Sequence, residues 1–215
     1  MSLFEAWPWV KGVWRKQFYR VKEQGIQERL TGDLFKKYFF VPLQVHNDSQ
    51  ILSHSQFDTV GEFIEKTINS FARCAPNDTY LVIKHHPMDR GYYNYTQLIK
   101  QLVGDGALKS RVFYIHDQHL PSLLNAALGV VVVNSTVGLS AVQRHLPVFV
   151  EGDSIYKIKE LTYSGEIDDF WGNAHVFKPN KDVVSGFLKY LIQKTQLNGS
   201  FYRGNVSYVN EDSFK

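Results

Sequence analysis

The sequence predicts an α/β protein built on a doubly wound, mostly parallel sheet, and three observations carry that prediction. Short apolar runs alternate with helix-length amphipathic stretches through most of the 215 residues. The runs are rich in Val, Ile, Phe and Tyr and apolar on both faces, as strands covered by helices on both sides must be. The polar chemistry of the chain gathers where those runs end, on the edge where open α/β sheets bind ligands.

The elements follow in order. Residues 1–36 form a basic, aromatic segment in which Trp7, Trp9 and Trp14 alternate with Lys11, Arg15, Lys16, Arg20 and Lys22. It reads as a helix that either packs its aromatic face on the domain or rests on anionic lipid. Residues 37–198 then read as a Rossmann-like domain. Strands are predicted at Tyr38–Gln44, Tyr80–Lys84, Val112–Ile115, Val130–Val133 and Val148–Val150. Helices are predicted at Thr59–Arg73, Tyr95–Leu102, Pro121–Ala127 and Val137–Arg144. Lys181–Lys194 carries Val183, Val184, Phe187, Leu188, Leu191 and Ile192 at helical spacing and is expected to cover one face of the sheet. Residues 199–215 are a polar, weakly patterned tail.

Composition narrows the function. A hydrophobic content of 44% supplies one good core. A net charge of +3 is too mild for a nucleic-acid partner, which calls for a concentrated basic surface. A single cysteine, Cys74, excludes an intrachain disulfide framework. No apolar run approaches the length of a membrane span, so the expected location is cytoplasmic, peripheral on the inner membrane if the Trp-rich segment touches lipid.

Two strand ends carry phosphate-binding chemistry. Gly129–Gly138 (GVVVVNSTVG) runs an apolar strand into Asn134, Ser135 and Thr136 at the start of a helix, where N–H groups and hydroxyls converge, and Gly138 joins them as a substrate-binding candidate. Tyr80–Pro87 (YLVIKHHP) ends on Lys84, His85, His86 and Pro87. Each has a plain structural reading beside it: Ser, Thr and Asn cap helices, and His-Pro makes turns. Together they point to a nucleotide-sugar site. Asp117 lies at another strand end, placed for ribose hydroxyls or the base, or for capping the next helix. His116 and His119 offer no convincing further metal ligand.

Lys84-His85-His86-Pro87, Asn134-Ser135-Thr136-Val137-Gly138-Leu139, Leu146-Pro147-Val148, and Gly152 with Tyr156 and Leu161-Thr162 resemble, in that order, the signature of the capsule polysaccharide biosynthesis and export family. Members assigned an activity are β-Kdo glycosyltransferases that use CMP-Kdo. The resemblance covers roughly residues 37–194 and implies the C-terminal, donor-binding Rossmann-like half of a GT-B-type enzyme, whose other domain the chain is too short to hold. It also implies transfer of Kdo with retention to a lipid or glycolipid acceptor, without cofactor or divalent metal, within a capsule assembly and export complex.

In that reading His86 donates to the departing phosphate, helped by Lys84 and the Asn134–Thr136 cluster, with Pro87 fixing the turn. Asp48, in the loop Gln44-Val45-His46-Asn47-Asp48-Ser49-Gln50, corresponds to an acidic residue in a Gln-containing family loop, and a carboxylate nucleophile is one route to retention. A loop aspartate can equally cap or turn, and Asp58, Asp89, Glu151 and Asp153 compete for the role. The alternative function is a non-catalytic nucleotide or phosphosugar-binding module, or a membrane-associated component of capsule export.

Overall fold

The computed structural model describes residues 3–195, 197–199 and 206–208, with side chains over 7–195. Five strands form one all-parallel sheet: β1 (Tyr38–Pro42), β2 (Tyr80–Lys84), β3 (Val112–Ile115), β4 (Gly129–Val132) and β5 (Val148–Val150). Their spatial order is β3-β2-β1-β4-β5, so the direction of winding reverses between β1 and β4. In open α/β sheets the carboxyl ends of two strands at such a reversal are where ligands bind.

Side chains alternate across the sheet. Phe39 and Val41 point to one core, with Phe63, Ile64, Ile68 and Phe71 of α4 (Val60–Cys74), Ile99 of α5 (Thr96–Val103), and Phe170 and Trp171 of α8 (Ile167–Asn173). Tyr38 and Phe40 point to the other, with Leu30 of α2 (Ile26–Thr31), Leu123 and Leu124 of α6 (Leu120–Ala126), Ala141 and Val142 of α7 (Thr136–Gln143), and Val184 of α9 (Lys181–Thr195). Each fully buried side chain of this size contributes about 1.5–3 kcal/mol of transfer free energy. The buried polar ends are satisfied as well: the Tyr38 hydroxyl donates to Leu123 O at 2.6 Å and Trp171 Nε1 to Ser70 Oγ at 2.7 Å.

Three predicted strands match in both bounds, and β1 stops two residues early, at Pro42. β4 begins at Gly129, where a Cβ would lie 3.0 Å from Phe170 and 3.2 Å from Phe39. The predicted helices fall within a residue of α4, α5, α6, α7 and α9. Two short helices were not legible, α3 (Ser49–His54) and α8, since one or two turns show no period. Nor was an antiparallel ribbon of β6 (Leu197–Gly199) and β7 (Val206–Tyr208), which begins just before the expected tail.

The N-terminal segment is helical, α1 (Leu3–Lys22), and it corrects one expectation. Its tryptophans do not pack on the domain: Trp7, Trp9 and Trp14 are all exposed. The docked side is instead Pro8, Gly12, Arg15, Tyr19 and Glu23, which lie on the loops after β2 and β3.

Candidate functional site

The carboxyl ends of β1 and β4 carry a connected polar group. Gln44, buried just beyond β1, donates through Nε2 to Asp48 Oδ2 at 2.9 Å and accepts the Asn134 N–H on Oε1 at 3.2 Å. Asn134 Nδ2 donates to Gln50 Oε1 at 2.7 Å and to the Asp153 carbonyl at 2.9 Å. Asp48 also caps α3, its Oδ1 accepting the Gln50 N–H at 2.9 Å. The loop after β1 and the loop after β4 are therefore one hydrogen-bonded unit. Both oxygens of Asp48 are held, which fixes the orientation of the carboxylate.

Ser135 caps α7, its Oγ accepting the Val137 N–H at 3.2 Å, and Thr136 beside it is exposed. Gly138 is buried one turn in, and its missing side chain serves packing against Tyr156. A Cβ there would lie 2.4 Å from the Tyr156 hydroxyl, which donates to Ser135 O at 2.5 Å. Gly152 has a similar constraint, with a Cβ placed 2.5 Å from His54 O.

The β2 end contributes a second set. Lys84 is 7% exposed, and burial lowers the pKa of its ammonium against the opposing pull of Asp117. His86 caps the 3₁₀ turn Pro87–Asp89, its Nδ1 accepting the Met88 N–H at 3.2 Å. Burial lowers the His86 pKa, with Asp89 and Asp48 working to raise it and Lys84 and Arg90 to lower it. The ring is thus neutral at pH 7 with its proton on Nε2, a donor. Pro87 is the first residue of the turn and is exposed.

Asp117 is paired with Arg90, whose Nη2 donates to Oδ1 at 2.5 Å. Its Oδ2 is buried without a partner among the described residues, as is Arg90 Nε. His116 and His119 turn to different partners: His116 Nδ1 bonds Glu23 Oε1 at 2.6 Å and His119 Nδ1 bonds Ser122 Oγ at 2.8 Å.

A pair the sequence reading did not single out is His46 with Asp89. Asp89 is fully buried and accepts the His46 N–H on Oδ2 at 2.9 Å, while its Oδ1 holds His46 Nδ1. The His46 ring stacks on Tyr93 at 4.4 Å between centroids. The clue was local: Asp89 stands in the turn directly after the His-Pro strand end, where a carboxylate reaches the neighbouring strand-end loop.

A hollow of about 590 Å³ lies elsewhere, between α4 and α8. Its walls include Glu62, Glu65, Glu166 and Asp168 against Lys66 and Arg73, an acidic balance that repels phosphate.

The family model described as "Capsule polysaccharide biosynthesis protein" matches residues 6–202. The chain belongs to that family. The match reaches past the region carrying the sequence signature and takes in nearly all of α1. Capsule polysaccharide export protein KpsS of Escherichia coli is 44% identical over 199 residues, covering 93% of this chain and 51% of KpsS. Capsule polysaccharide modification protein LipB of Neisseria meningitidis serogroup A is 39% identical, covering 96% of this chain and 49% of LipB. The chain spans about half the length of these curated relatives. Among solved structures, Thermosulfurimonas dismutans KpsC, a β-Kdo 2,7 transferase, aligns at 21% identity with a TM-score of 0.46, over 78% of this chain and 57% of that one. Among the described residues of this family member, no helix is long and apolar enough to cross a membrane.

Proposed function

We propose that this chain is the donor-binding half of a capsule glycosyltransferase that takes Kdo from CMP-Kdo and passes it, with retention, to a lipid-linked acceptor at the inner-membrane surface. The observation that carries the reading is the convergence of Gln44, Asp48, Asn134 and Ser135 at the β1/β4 reversal, beside Lys84 and His86 on the same sheet edge. Membership of the capsule family and the resemblance of its motifs to β-Kdo transferases support CMP-Kdo as the donor.

The chemistry follows from the groups present. Asp48, its carboxylate held by Gln44 and the Gln50 N–H, attacks the anomeric carbon, and the bond from that carbon to the CMP phosphate breaks with its electron pair leaving on CMP. The Nε2–H of neutral His86, the Lys84 ammonium and the Ser135 and Thr136 hydroxyls receive the developing phosphate charge. In the second step an acceptor hydroxyl displaces Asp48, and its proton needs a base. His46 stands on the same loop, with Nδ1 engaged by Asp89 and Nε2 available.

Calorimetry with CMP tests the reading. Binding is expected, and His86→Ala should weaken it about tenfold or more, since a charge-assisted hydrogen bond contributes about 1.5–3 kcal/mol. Mass spectrometry after incubation with CMP-Kdo should place a Kdo adduct on Asp48. Absence of CMP binding by a folded chain would overturn the reading. CMP binding with neither adduct nor transfer would favour a non-catalytic module in capsule export, the role that the name of KpsS suggests.

A further inference from the structure

Helix α1 has two unlike faces. The docked one is small and polar: a Cβ on Gly91 would lie 2.0 Å from Pro8 O, and Arg15 Nη1 donates to Arg90 O at 2.7 Å. Tyr19 lies flat on the His116 ring, 3.3 Å between centroids, and Glu23 holds the His116 imidazole and accepts its backbone N–H at 2.9 Å. The opposite face is an apolar stripe at helical spacing: Trp7, Val10, Trp14, Phe18 and Val21, exposed by 63%, 57%, 65%, 46% and 74%. A helix of a globular domain turns such a stripe toward the core. Here the stripe is turned away from it.

Charge indicates what covers that stripe. Residues 7–22 contain Lys11, Arg15, Lys16, Arg20 and Lys22 and no acid. Arg15 is spent on docking. At 3.6 residues per turn, Lys11 and Lys22 border the stripe on one side, while on the other Trp9 and Val13, 61% and 66% exposed, widen the apolar face as far as Lys16 and Arg20. Tryptophans with cations on both flanks match the headgroup region of an anionic bilayer, where the rings sit at the interface and the cations meet lipid phosphate. A second copy fits poorly, since pairing two such stripes would press eight cations together. The surface is also continuous with the candidate site. A cleft of about 370 Å³ runs from Trp9, Val13 and Lys16 to Pro87 and Met88, beside His86.

We propose that α1 is an interfacial helix that seats this protein on an anionic membrane, with the strand-end edge of its sheet held at the lipid surface. The inference rests on α1 and its docking, independently of what the strand ends bind.

Vesicle binding of the whole chain tests it. Vesicles of phosphatidylcholine with phosphatidylglycerol should bind the protein, phosphatidylcholine alone should bind at least tenfold more weakly, and added salt should release it. Changing Lys11, Lys16, Arg20 and Lys22 to Gln should weaken binding by about fivefold per cation, and Trp7→Ser with Trp14→Ser should abolish it. Both sets leave the docked face intact, and CMP calorimetry on them reads the donor site separately. Brominated lipid needs no variant: Trp7, Trp9 and Trp14 should be quenched, whereas Trp171, 1% exposed in the core, should not. Equal binding to neutral vesicles, unquenched fluorescence, or self-association that Val21→Asp abolishes would each overturn the proposal.

Discussion

Gln44 and Asp48 are joined by a 2.9 Å hydrogen bond from Nε2 to Oδ2, and the same Gln44 side chain accepts the Asn134 N–H at 3.2 Å. One buried amide therefore reads two strand-end loops at once. Its orientation is forced, since the backbone N–H of Asn134 requires the oxygen and the carboxylate requires the nitrogen.

That orientation makes Asp48→Asn an informative substitution. Asn caps a helix about as well as Asp, so α3 keeps its N-cap. The new amide nitrogen, however, faces Gln44 Nε2, two donors with nothing between them. Asp48→Asn should cost about 1–3 kcal/mol in urea unfolding. Adding Gln44→Glu, whose carboxylate accepts from both the new amide and the Asn134 N–H, should recover a good part of that loss. If the double variant is no more stable than Asp48→Asn alone, the Gln44–Asp48 bond does not hold the loop.

His85 predicts the response to acid. The ring is buried, with the Tyr114 hydroxyl 2.6 Å from Nδ1, and burial followed by the neighbouring His116 pulls its pKa down to about 3. Unfolded, the ring titrates near 6.5. Between pH 6.5 and 3 the unfolded chain binds the extra proton, so stability falls as pH falls, by up to about 1.4 kcal/mol per unit. His86, also lowered by burial, adds in the same direction. Urea midpoints should drop steadily from pH 7 to pH 4. In His85→Gln the slope should flatten, and an unchanged slope would show that the acid response originates elsewhere.

How much of this was legible follows from what each feature depends on. Phe39, Phe40 and Val130–Val132 announced their strands because parallel strands buried on both faces are continuously apolar. Gln44, Asp48 and Asn134 could be placed on one edge because strand ends gather in any doubly wound sheet, but the bonds between them depend on which strands are neighbours. The order β3-β2-β1-β4-β5 is not written in periodicity. The Asp89–His46 pair was hidden for that reason: it spans two strand-end loops, and Asp89 looks like an ordinary turn residue until its burial is seen. The outward face of α1 was unreadable because an apolar stripe has the same spacing whichever way it points. Tyr19 and Glu23, the residues that decide it, are a buried phenol and a carboxylate held by a histidine.

Gly138 gives a packing prediction. Its Cβ position is 2.4 Å from the Tyr156 hydroxyl, which bonds Ser135 O at the start of α7. Gly138→Ala must displace that ring and should destabilise the fold by about 1–3 kcal/mol through overpacking. Tyr156→Phe alone should cost about 1 kcal/mol for the lost hydrogen bond. Combined, the two should cost less than their sum, because Tyr156→Phe removes the nearest of the clashing atoms and leaves the ring carbons at 2.9 and 3.0 Å. Strict additivity in thermal unfolding would mean that Gly138 is needed for some other reason.

The final prediction concerns the tautomer of His46. Asp89 Oδ2 takes the His46 backbone N–H and Oδ1 takes Nδ1, so the ring carries its proton on Nδ1 and presents Nε2 as an acceptor, the form a general base requires. Asp89→Asn preserves size and reverses this. Its oxygen must serve the backbone N–H, which leaves the amide NH₂ facing Nδ1 and drives the ring proton to Nε2. Nitrogen-15 NMR of the imidazole reads the difference directly, with the protonated nitrogen moving from Nδ1 to Nε2. CMP affinity should stay within a few-fold, because His86 and Lys84 are untouched, while transfer to an acceptor should fall at least a hundredfold. His46→Ala should instead strand the Asp89 carboxylate in the core with one donor and cost about 2–4 kcal/mol of stability. An Nε2–H signal in the unmodified protein, or transfer unchanged in Asp89→Asn, would remove His46 from the reaction and leave the pair as a clasp between the β1 and β2 loops.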